Sequence, residues 1–220
     1  MKKIILLVLG LYLMPAFVTG QNSEDDGGIQ WWSENEVVND LIDDAIGHLI
    51  NIEREKAFTL FEKAVVLDPS LVAPHVAMAT LTWGEMRDKH KAKAKELVAG
   101  KNKTSQLYVS LLDVARGPDA GSKRHEIWAK MHKLSPGGPF IHFNYARTKG
   151  SNQEIMEALT NMLDKAPDQY KGMLAAPTHN LLGYMNYYEG NKSKAREHFE
   201  KYLELYPDGY NSYDSMAEFY

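Results

Sequence analysis

The sequence predicts an all-α fold in which short antiparallel helix pairs stack into a superhelix. Three observations predict it. From about Glu34 onward apolar residues recur at intervals of three and four, strand-like alternation is scarce, and proline-bearing breaks punctuate the chain at Asp68-Pro69, Ser135-Pro136, Ala166-Pro167 and Tyr206-Pro207. In "EKAFTLFEKAVVLDP" the residues Ala57, Leu60, Phe61, Ala64 and Val65 share one helical face, with Glu55, Lys56, Glu62 and Lys63 opposite.

The first twenty residues read differently. Lys2 and Lys3 precede an apolar run from Ile4 to Leu13, then Pro15 and small residues up to Gly20, the pattern of a secretory signal peptide over 1–20. The run is shorter than the roughly 20 residues a bilayer span needs. Export is therefore expected, to the periplasm or outside the cell, with no stable membrane insertion once the signal is removed. Removing it shifts the net charge from −4 to −6, because Lys2 and Lys3 leave and no acid does. An acidic chain has no general attraction to nucleic acid. Cysteine is absent, which removes thiolate metal sites and cysteine nucleophiles. Residues 21–33, beginning "QNSEDDGGIQ", are polar and aperiodic and are expected to be a flexible linker.

The region 34–220 carries an internal repeat. Gly183, Ala195, Phe199 and Pro207 are 12, 4 and 8 residues apart, and Ala45, Ala57, Phe61 and Pro69 reproduce those spacings. A small residue lets two helices approach, and proline stops the second because it lacks the N–H for the next rung. Gly183 and Ala195 thus mark a helix crossing, and Phe199 is expected to fill the space between that pair and the next.

These residues resemble the tetratricopeptide repeat (TPR) family, most clearly over 176–209 and in the second half of 38–71. The resemblance implies a right-handed superhelix, an α-solenoid, with units at about 38–71, 72–104, 105–138, 139–172 and 176–209 and a partial unit at 210–220. In the middle units "KHKAKAKELVAG" is displaced by a few residues, and Arg124 stands where a small residue is expected. The resemblance further implies a non-catalytic protein- or peptide-binding scaffold of the bacterial cell envelope, without a cofactor, whose concave face is lined by the first helices. Carried over unit by unit, that face comprises Trp83, Arg116, Phe143, Arg147, Asn180, Tyr184 and Tyr187.

Catalytic signals are weak. No HExxH, GxSxG or P-loop pattern occurs. His75, His142 and His179 recur at one place in their units and are expected to pack between helices rather than hold a metal; His125 and His132 are two turns apart, too far for a four-residue metal clamp. The basic stretch "RDKHKAKAKELVAGKNK" is read as one exposed helix face. The closing "YNSYDSMAEFY" supplies only the first helix of a sixth unit. It is expected to offer a surface for self-association, or to mark the chain as the repeat portion of a larger envelope enzyme or signalling protein.

Replacing Gly183 by Leu forces the crossing helices apart and is expected to cost about 1–3 kcal/mol, the usual range for overpacking. Thermal denaturation checks it, and an unchanged midpoint would place Gly183 elsewhere.

Overall fold

A computed structural model describes residues 27–165 and 168–220; the side chains of 168–171 and the expected signal peptide at 1–20 lie outside the described part. Among the described residues there are eleven α-helices and no strand. They form successive antiparallel pairs: α1 (Glu36–Ile50) with α2 (Arg54–Leu67), α3 (Ala73–Leu81) with α4 (Gly84–Leu97), α5 (Lys103–Ser110) with α6 (Ala120–Leu134), α7 (Pro139–Ala146) with α8 (Asn152–Lys165), and α9 (Asp168–Tyr188) with α10 (Lys192–Leu205). A single helix, α11 (Tyr210–Phe219), follows. The arrangement is an all-α helical repeat solenoid.

Local chemistry explains the starts and stops. Asn35 and Asn102 cap α1 and α5, their side-chain oxygens accepting from the N–H of Val37 and Ser105. Pro74 and Pro139 sit in the first turns of α3 and α7, where a missing N–H costs nothing. The second pair is irregular because α3 has only nine residues and a two-residue link then starts α4 at Gly84.

Each pair is zipped by small and large residues in register. Ala45, Ala57 and Phe61 are fully buried in the first pair, and Ala195 and Phe199 are buried in the last. A Cβ on Gly183 would come within 2.6 Å of the Phe199 ring. Phe199 therefore rests on Gly183 inside its own pair, and its outer edge also meets Phe219 of α11, at 5.7 Å between centroids.

Residues 27–33, expected to belong to a flexible linker, are instead packed against the helices. Ile29 and Trp31 are buried, and the Trp31 ring lies 5.4–5.9 Å from those of Phe61 in α2, Tyr108 in α5 and Phe140 in α7. Asn102 Nδ2 donates to the Gly28 carbonyl at 2.7 Å, and the Gln30 N–H donates to Ser105 Oγ at 3.0 Å. Gly27 adopts φ +78°, and a Cβ there would meet the Leu134 carbonyl oxygen at 2.7 Å, so glycine is required twice over. Two large apolar residues spaced to face one way outweigh the polar composition around them.

The array also curls until its last helices reach the turn between α1 and α2. That turn contains Ile52 at φ +67°, an unfavourable conformation for a β-branched residue, and it presents Glu53 to the other end of the chain. Glu53 is completely buried. Its Oε2 accepts from His48 Nδ1 at 2.6 Å, Lys56 Nζ at 3.1 Å and Tyr206 Oη at 3.0 Å, while Oε1 accepts from the Tyr210 N–H at 2.9 Å. Tyr202 Oη reaches the Asn51 carbonyl at 3.4 Å. Burial would raise the pKa of Glu53, but the hydrogen bonds from Lys56, Tyr206 and His48 outweigh it and hold the carboxyl below its ordinary value.

Glu53→Gln keeps the shape and loses the charge that these donors share. It is expected to destabilise the protein by about 1–3 kcal/mol and to speed hydrogen exchange at the Tyr210 amide. Unchanged exchange there would show that the two ends do not depend on Glu53.

Candidate functional site

The curl leaves a partly open cavity of about 470 Å³ whose wall is drawn from α1, α3, α4, α5, α6, α7 and α9 and from the segment after α5. The apolar part of that wall is aromatic. Tyr108, Trp128 and Phe140 line it and contact one another at 5.9–6.0 Å, with Trp31 packed behind Tyr108 and Phe140. Phe143, Leu111, Leu112 and Leu181 continue this surface, and Ile52 stands at the α1–α2 turn.

The charged part is all of one sign. Arg87, Arg116, Arg124 and Arg147 line the cavity, and no carboxylate is among its lining residues. Among the described residues none of the four guanidiniums is paired with a carboxylate. Arg87 Nη1 donates to the Ala79 carbonyl at 2.7 Å. Arg147 Nε donates to Asn144 Oδ1 at 2.9 Å, and the guanidinium carbon lies 5.9 Å from the Phe143 ring centre. Arg147 is exposed, and the protein packed around it lowers its pKa below the ordinary arginine value, with the nearby Tyr108 opposing.

Of the seven residues expected on the concave face, the structure brings five together here: Arg116, Phe143, Arg147, Asn180 and Tyr184. Two lie off the wall. Trp83 falls in the short α3–α4 link, where it is 78% exposed. Tyr187 turns towards α11, with its ring 6.0 Å from Phe219. The last helix also claims polar atoms of two wall residues: Asn180 Oδ1 accepts from Ser215 Oγ at 3.0 Å, and Tyr184 Oη donates to Glu218 Oε2 at 2.7 Å.

Two of the cavity's four arginines escape the sequence reading. Arg124 stands out there only as a departure from the small-residue pattern, and Arg87 is absorbed into a lysine-rich face. The lysines of that face do point elsewhere: Lys91 and Lys95 pair with Asp113 at 3.0 and 2.6 Å, tying α4 to the turn after α5.

Histidines occupy the helix contacts. His75 and His90 approach at 3.0 Å between Nδ1 atoms, His179 and His198 at 2.9 Å, and the rings of His132 and His142 lie 5.0 Å apart. Each close Nδ1 pair requires one ring to donate and the other to accept, which two neutral tautomers satisfy and two imidazolium ions do not. Among the described residues no group of three or more metal-ligating side chains occurs, and no helix is long and apolar enough to cross a membrane.

The tetratricopeptide repeat family model matches residues 176–208. The chain contains a tetratricopeptide repeat. The matched segment is α9 and α10, the pair in which Gly183 receives Phe199. Repeats of this kind are in general protein-interaction modules. No curated protein and no solved structure matches the chain.

Burial lowers the pKa of all six paired histidines, to about 4 for His75 and His179. Below an unfolded value near 6.5, the unfolded chain binds protons that the folded one resists, so stability is flat above about pH 7 and falls between about 6.5 and 4. Asp43, raised to about 6 by burial and the neighbouring Asp40 and Asp44, offsets part of the fall. A net loss on the order of 2–4 kcal/mol is expected in urea titrations across that window. The His75→Gln, His90→Gln variant should show a shallower fall, and an identical profile would remove that pair as a cause.

Proposed function

We propose that the protein is an exported, non-catalytic scaffold of the bacterial cell envelope that holds a segment of a partner protein against the inner wall of its helical array. The observation that carries this reading is the tetratricopeptide repeat at 176–208, whose first helix contributes Asn180 and Tyr184 to that wall. The wall supports it chemically. Flat aromatic surfaces hold apolar side chains and extended backbone, while guanidiniums supply directed donors. Export rests on the charged and apolar pattern of residues 1–20. Tyr213 in α11 is exposed, which supplies a second surface for contact with another chain.

A random peptide library panned against the full chain tests the reading. Enriched peptides are expected to lose at least tenfold in affinity for Arg147→Ala with Tyr184→Ala, and to bind Arg196→Ala normally, since Arg196 pairs with Glu200 outside the cavity. Equal binding by the double variant, or no enrichment, overturns it. Cell fractionation of the tagged chain should place it in the envelope; retention in the cytoplasm would count against export.

A further inference from the structure

We infer that the cavity is a binding site for a small amphipathic anion: a carboxylate or phosphate seated on the guanidiniums of Arg87, Arg116, Arg124 and Arg147, with an apolar ring or chain against Tyr108, Trp128, Phe140 and Phe143. The inference goes beyond peptide capture on the same wall.

The charge arrangement is the first argument. Like charges gathered at one site repel one another and attract an anion. Four arginines line this one cavity, and no carboxylate is among its lining residues, whereas Lys91 and Lys95 share Asp113 and completely buried Glu53 has four donors. Arg147 is the best oriented of the four. Its Nε is fixed by Asn144, which orients the planar group, and its two terminal amino groups make no contact with a protein acceptor among the described residues. Those two groups form the fork that binds carboxylate or phosphate through paired hydrogen bonds.

The second argument is size and partition. About 470 Å³ lies within the range of small-molecule sites, roughly 300–1,000 Å³. One part of the wall is an interlocked aromatic cluster and another is purely cationic. An inorganic anion would leave the rings wet, and a neutral apolar molecule would leave the guanidiniums without a counter-charge. A molecule carrying both features satisfies both.

Three compounds with comparable aromatic bodies test it, titrated into the full chain and followed by calorimetry and by tryptophan fluorescence, since Trp128 lines the cavity. 4-Phenylbutyrate and phenyl phosphate are expected to bind, with affinity falling as salt rises, and the tighter of the two identifies the preferred head group. 4-Phenylbutyramide, which lacks only the charge, is expected to bind at least tenfold more weakly than the butyrate. Arg147→Gln should weaken both anions at least tenfold and leave the amide unchanged; Arg124→Gln, at a half-exposed position, serves where the first variant fails to keep wild-type helicity. Equal affinity for butyrate and amide, no binding by either anion, or unaltered affinity in both variants overturns the inference. Tighter binding of the acidic peptide acetyl-Phe-Glu-Glu-amide than of either small anion would also overturn it, in favour of side chains from a partner protein.

Discussion

The carboxylate of Glu53 is the constraint on which the shape depends. An ion brought out of water must be surrounded by donors, and its four come from both ends of the chain: His48 and Lys56 near it in sequence, Tyr206 and the Tyr210 amide about 150 residues away. A stack of helix pairs without such a contact would be an open spiral with a solvent-filled groove. Here the returning end of the chain and the helix pairs bound a partly open cavity of about 470 Å³. The same return of the chain lays the last helix against Asn180 and Tyr184.

Much of the fold was legible because local rules decide it. Proline ends, small-residue crossings and helical apolar faces are read within a turn or two, and Gly183, Ala195 and Phe199 pack as their spacing implies. Contacts between distant segments were not legible. Nothing in "QNSEDDGGIQWW" distinguishes a linker from a packed segment except the large apolar side chains at 29 and 31, and what they bury against lies in three different helix pairs. Glu53 likewise looks in sequence like any charged residue at a helix start; only the return of Tyr206 and Tyr210 gives it a role.

The site shows the same division. Register along the first helices located Phe143, Arg147, Asn180 and Tyr184, because those helices face inward in a regular pair. It failed at Trp83, where α3 stops early, and at Tyr187, which α11 draws aside. Arg124 and Arg87 lie on second helices, which register assigns to the outside. Departure from the small-residue pattern at Arg124 was the available signal, and a charged residue in place of alanine at a helix crossing is informative because it must have somewhere to go.

Trp31 has a consequence for how the chain folds. In a one-dimensional array each pair touches only its neighbours, and stability accumulates along the chain. The indole of Trp31 instead joins α2, α5 and α7, and the Glu53 contacts join the first pair to the last. Loops of roughly this length lose entropy on closing before any contact rewards them. The end pairs are therefore not free to fray singly. Such contacts couple the end pairs to one another, so that opening either end gives up contacts made by both.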